Sequence, residues 1–158
     1  MFYKLNSVLM KSIIIVFTFF FFFNNLSLFS QLPAEHSSII VHLDNLKNDK
    51  GLIAINIFIE KEGFPSDSKK SFMSQTFKIK EHENKFVFKN VPLGTYSLSV
   101  LHDENSNFKM DTNFFRKPKE GYAVSNNIKP RKFGPPKFED ACFTHSASDS
   151  ILELKLIY

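Results

Sequence analysis

Tryptophan is absent from this chain, cysteine occurs once and glycine only five times in 158 residues. With Cys142 alone, no intramolecular disulfide exists, and a chain of this length can hold a core without staples. Cys142 sits between Ala141 and Phe143 and reads as a small buried residue rather than a nucleophile. No phosphate-cradling glycine loop, nucleophile elbow or zinc spacing occurs, which removes the motif-bearing enzyme classes. The 20 basic and 16 acidic residues are interspersed, without the concentrated stripe that nucleic-acid binding needs. Helical periodicity is missing as well, and the one long apolar run lies at the N-terminus.

Phenylalanine is what the chain has in excess, and eight of its 20 copies precede residue 31. Lys4 and Lys11 are the only charges before Ser30, and Ser12 to Phe23 is an unbroken, mostly apolar run. A positive start, a short apolar stretch and a small residue before a polar one predict a signal peptide over residues 1–30. Cleavage after Ser30 is expected, with Ser27 the alternative. The run is shorter than the roughly 20 apolar residues of a membrane-spanning helix, which disfavours an uncleaved anchor. The expected organisation is a signal peptide (1–30), a linker (31–37) and one domain (38–158), exported to the periplasm or the cell exterior. Contact with a membrane is expected only through the leader before cleavage. Without the leader, 18 basic residues face 16 acidic ones, a net charge of +2.

The domain reads as strands. Ile39, Val41 and Leu43 alternate with Ile40 and His42; Ile53, Ile55, Ile57 and Ile59 alternate with Ala54, Asn56 and Phe58. The turn Asn48-Asp49-Lys50-Gly51 separates the two. Phe77 and Ile79, then Phe86 and Phe88, alternate across Glu81 to Asn84 and predict a hairpin. Tyr96, Leu98 and Val100 point inward, with Ser97 and Ser99 outward. Leu152, Leu154, Leu156 and Tyr158 share a face of the last strand, Glu153 and Lys155 the other. Between them, His102 to Pro136 is polar and rich in Asn, Pro and Gly, with only Tyr122 to Val124 strand-like; such a stretch is usually functional or tied down. The pattern predicts an all-β, two-sheet antiparallel sandwich of about seven strands.

Phe88 to Val100, with Val91-Pro92-Leu93-Gly94-Thr95-Tyr96 at its centre, resembles a hairpin of transthyretin-like sandwiches, among them the carboxypeptidase regulatory domains and bacterial adhesin repeats. Proline fixes φ, glycine permits the turn and tyrosine restarts the strand, and the expected fold is prealbumin-like or Ig-like. His102-Asp103-Glu104-Asn105, Asp111-Thr112-Asn113, Pro118 to Tyr122, Ser125-Asn126-Asn127 and Phe133 to Pro136 follow in that order, with Glu62-Gly63-Phe64-Pro65 upstream. In this order they resemble the bacterial family called domain of unknown function 2141, over essentially residues 38–158. The resemblance implies an exported all-β domain of unassigned activity and lends no catalytic residues.

Asp103, Asn105, Asn107 and Asp111 stand at positions 1, 3, 5 and 9 of a calcium-type loop, and Lys109 at position 7 offers its carbonyl. Phe108 stands where that loop has glycine, and Phe114 where it has a bidentate glutamate. The resembling family usually has glycines where Ser106 and Phe108 stand. The competing reading is a metal-free loop of Asn and Asp turns. A transition-metal site would need His102 with Glu104 or His145. His102, Glu104, Asn113, Glu120, Ser125, Asn126 and Asn127 form the candidate ligand-binding loop. Phe114 and Phe115 suit an exposed apolar patch for a partner, but are expected rather to tuck into the edge of the core. Arg116, Lys117 and Lys119 suit anionic sugars or headgroups, or simply a solvated face. The expected function is a non-catalytic binding or structural module whose partner is a glycan or an envelope protein. The alternative is a small hydrolase or metal-dependent enzyme built on His102, Asp103, Glu104 and Asp111.

Overall fold

The structure, a computed structural model, describes residues 35–80, 83–115, 117–129, 131 and 134–158. The expected signal peptide and residues 31–34 of the linker lie outside the described residues. Among the described residues no helix is long and apolar enough to cross a membrane.

Eight strands form: β1 (His36–Asp44), β2 (Leu52–Phe58), β3 (Met73–Lys78), β4 (Lys85–Pro92), β5 (Gly94–Asp103), β6 (Gly121–Val124), β7 (Phe143–His145) and β8 (Ser150–Lys155). Among the described residues a short α-helix, α1 (Phe138–Ala141), precedes β7. The first sheet has the order β4-β1-β8 and the second β3-β2-β5-β6, with β7 pairing the start of β5. The strands are β-forming because period-two rows of Ile, Val, Phe and Leu can each bury one face. Ile39, Val41 and Leu43 of β1 meet Ile53, Ile55 and Ile57 of β2 in one core with Phe86, Phe88, Leu98 and Leu154. Burying a side chain of this kind contributes about 1.5–3 kcal/mol. Glu35–Tyr158 is a compact unit by itself, and among the described residues its core runs from Ile39 to Leu156.

The sandwich expected from the periodicity is present, with three corrections. The sheets are not wholly antiparallel: β1 and β8 pair in parallel, Ile39 beside Ser150 through Asp44 beside Lys155. The segments either side of Glu81 to Asn84 are not a hairpin. β3 pairs with β2 and β4 with β1, so the chain crosses between sheets there. Phe77 then packs on Phe86 and Phe88 through the core, at ring separations of 5.0 and 6.1 Å. Ser97 and Ser99 face away from the core yet are buried. The loop after β2 and α1 cover them: Ser97 Oγ donates to Phe138 C=O (2.9 Å) and Ser99 Oγ to Pro65 C=O (2.7 Å). Phe58, Phe64 and Phe138 stack edge to face in that second apolar layer.

The step from β4 to β5 carries the chain from one sheet to the other through Leu93 alone. Tyr96 Oη donates back to Pro92 C=O at 2.8 Å, the hydrogen bond of a tyrosine corner. Strand β1 starts at His36, inside the expected linker.

Candidate functional site

The C-terminal end of β5 delivers His102 and Asp103, both fully buried, to the base of the long polar segment. Gly51 lies against this point with φ +73, and a Cβ there would stand 1.9 Å from Asp103 O, so only glycine lets the β1–β2 turn close here. That turn presents Lys50 C=O to His102 Nε2 (2.9 Å), while Tyr158 Oη lies 2.7 Å from Nδ1. A carbonyl can only accept, so Nε2 carries a proton, and both ring nitrogens are engaged. Tyr158 Oη in turn accepts from Lys47 N–H (3.0 Å).

Asp103 organises the loop that follows. Its Oδ1 accepts from Asn107 N–H (3.1 Å) and its Oδ2 from Phe108 N–H (2.7 Å). Asn105 Oδ1 accepts from Asn107 N–H, and Asn107 Oδ1 from Lys109 N–H. Both amide groups then donate to Asp111, Asn105 Nδ2 to Oδ2 (2.6 Å) and Asn107 Nδ2 to Oδ1 (3.1 Å). Ser106 and Phe108 take φ of 60 and 61, the left-handed region that favours glycine. Residues 103, 105, 107 and 111 are thus joined to one another and to the loop backbone by hydrogen bonds. Lys109 takes part through its N–H, donating to Asn107.

Glu120, also buried, closes the base of the next segment. Its two carboxylate oxygens accept from Glu104 N–H (3.1 Å) and Asp111 N–H (2.9 Å). From that clamp a narrow hairpin projects. Lys119 N–H donates to Asp111 C=O, Thr112 bridges Pro118, and Asn113 N–H donates to Lys117 C=O. Asn113 Oδ1 caps the tip by accepting from Phe115 N–H (2.9 Å) and Lys117 N–H (3.0 Å). Phe114 is 95% exposed and Phe115 78%, their rings edge to face at 5.5 Å. The expected tucking of this pair into the core does not occur, because the ladder of the hairpin holds the tip away from the sheets.

Glu104 stands on the other flank. Asn48 Nδ2 donates to its carboxylate (3.0 Å) and holds its pKa below the ordinary range against the opposing effect of burial, and Lys47 at 3.9 Å adds to the lowering. Ser125, Asn126 and Asn127 are not brought to the loop. Ser125 Oγ accepts from Leu98 N–H (3.0 Å) in the stretch of β5 between its β6 and β7 partners. Asn126 Nδ2 donates to Asp140 C=O and Cys142 C=O, holding α1 against β6. Asn127 pairs with the main chain of β8, donating to Glu153 C=O (2.7 Å) and accepting from Lys155 N–H (2.8 Å). Their side chains thus act as pieces of backbone ladder. His145 pairs with Gly94 at the start of β5, eight residues from His102 along the same strand, so the two histidines cannot share a metal. His145 is held by Ser37 and Ser150 instead.

Residues 41–152 match the family described as "Uncharacterized protein conserved in bacteria (DUF2141)". The chain belongs to that family. No curated protein matches the chain, and no solved structure does. The DUF2141 match takes in the whole of the 102–127 segment, with the Asp103 loop, the Glu120 clamp and the phenylalanine tip. It stops before Tyr158, whose hydroxyl completes the setting of His102.

Two features escaped the sequence reading. The His102–Tyr158 contact joins residues 56 apart with no local signal. The role of Glu120 as a clamp depends on which N–H groups the loop turns towards it, and no residue pattern encodes that.

Proposed function

We propose that this chain is a non-catalytic, exported binding module of the transthyretin-like kind. It meets its partner, an envelope component or glycan, through the loop end built on Asp103, Asn113 and Glu120. One observation carries the reading: the buried acid–base groups of this end hold backbone. Asp103 and Glu120 each accept two main-chain N–H donors, and both nitrogens of His102 are engaged. Carboxylates used in this way order a loop as a rigid platform, and the burial of Asp103 and Glu120 holds both away from the substrate that a general base must reach. The tyrosine corner at Tyr96 supports the transthyretin-like kinship, and the apolar run of residues 12–23 supports export.

The test is hydrogen exchange on residues 31–158 with separated envelope glycan, lipid and protein fractions. Protection of residues 103–119 by one fraction is the expected result, and protection confined to other surfaces overturns the reading. Turnover in a panel of ester, phosphoester, peptide and glycoside substrates that His102→Ala abolishes would establish the hydrolase alternative instead.

The 103–111 loop reads as ordered by its own hydrogen bonds rather than by calcium. Asn105 and Asn107 turn amide nitrogens towards Asp111, and their oxygens already accept main-chain donors. Among the described residues no three of His, Cys, Asp and Glu converge to hold an ion. Millimolar calcium is accordingly expected to leave Tm where chelator leaves it. A rise of several degrees, the mass-action signature of an ion bound to the folded state, would replace this reading with a calcium loop.

A further inference from the structure

We propose that the tip of the 111–119 hairpin docks on a phospholipid bilayer bearing anionic headgroups, with Phe114 and Phe115 entering the interfacial layer and the neighbouring lysines meeting phosphates. The proposal rests on the binding-module reading and names its partner.

Adjacent, almost fully exposed phenylalanines are rare on a soluble surface, and an exposed apolar patch carries more information than exposed single residues. Their exposure is built in. The hairpin is clamped at its base by Glu120 and capped at its tip by Asn113, so the rings are held outward by a hydrogen-bonded frame. Phe108 in the preceding turn is exposed as well.

The charge around the tip is of one sign. Lys109, Lys117 and Lys119 are exposed, and among the described residues none of them is in an ion pair. The nearby acids face elsewhere: Asp111 takes the Asn105 and Asn107 amides, and Glu120 is buried beneath the hairpin. Apolar side chains beside free lysines match the two layers of an anionic bilayer, acyl boundary and phosphate. A projecting tip inserts into a fluid interface without a preformed pocket on the partner's side. Short reach also suits this partner, because a hairpin tip buries only a few ångströms of depth.

The experiment is co-sedimentation of residues 31–158 with vesicles of phosphatidylglycerol and phosphatidylethanolamine, against vesicles of phosphatidylcholine alone. Expected is partition into the anionic vesicles that weakens as salt rises, since screening shortens the reach of the lysines. Phe114→Ser with Phe115→Ser should lower it about tenfold or more, given the apolar area withdrawn. Lys117→Gln with Lys119→Gln should remove most of the salt dependence. Ile151→Ser, which alters an exposed apolar residue on β8, should leave partition unchanged. The tip side chains are exposed, so the phenylalanine and lysine variants should melt at the wild-type temperature.

Equal partition into both vesicle types, none into either, or full retention by the double phenylalanine variant overturns the proposal. Self-association in sedimentation that the phenylalanine variant abolishes also overturns it, in favour of tip-to-tip pairing. If vesicles fail while an envelope protein or glycan protects residues 103–119 from exchange, the lipid partner falls and the binding-module reading stands.

Discussion

The Tyr96 hydroxyl holds a turn in which the chain changes sheets over a single residue. Tyr96→Phe keeps the ring against Phe72, Phe143 and His145 and removes only the bond to Pro92. A loss of about 1 kcal/mol is expected in urea unfolding. Burial also raises the pKa of Tyr96, and that of Tyr122 and Tyr158, above the ordinary phenol value. A phenol that keeps its proton more firmly when folded supports the fold fully below pH about 10 and withdraws that support as pH climbs through the native value. Above neutral pH, stability should therefore hold to about that value and then fall, and Tyr96→Phe should make the fall shallower. At this scale the sequence was partly legible. Pro92, Gly94 and Tyr96 announced the corner, and Gly51 announced a turn. Phe114 and Phe115 misled, because hydrophobicity says that a ring prefers burial and not whether the backbone lets it reach the core.

At the scale of the element, the Asp103 loop and its hairpin are two short structures joined by one carboxylate. Glu120→Gln replaces an acceptor-only group with an amide whose NH2 confronts one of the two N–H donors. About 1–3 kcal/mol of stability should be lost. The amides of Glu104 and Asp111 should exchange faster, while those of β2 and β5 keep their protection. Uniform acceleration would show instead that the clamp belongs to the core. Strand existence was readable from period two wherever five or more residues alternate, as in β1, β2 and β5. Strand partners were not. Phe77 and Phe86 alternate identically in a hairpin and in a crossing between sheets, because periodicity reports which side chains are buried and not which strand lies alongside. β7 has three residues, too few to show a period, and Asn127 joins β8 through a side chain, which no strand pattern records.

At the scale of the whole molecule, the first and last of the described strands lie side by side in one sheet. β8 lies parallel beside β1, and Asn45 Nδ2 reaches Leu156 C=O at 2.8 Å. Leu154 and Leu156 complete the core from that last strand. Deleting residues 150–158 removes both leucines and one flank of β1, with roughly 2–5 kcal/mol expected for each buried leucine alone. Circular dichroism should show loss of the native fold rather than a shortened one, since that total exceeds much of a small domain's stability. Sequence alternation could not reveal this closure, because parallel and antiparallel partners bury the same faces. It has a consequence in time. Until residues 150–155 have been made, the first strand has only β4 to lean on and its sheet stands open along one side. That flank therefore closes only after the other seven described strands exist, whatever the order in which they pair.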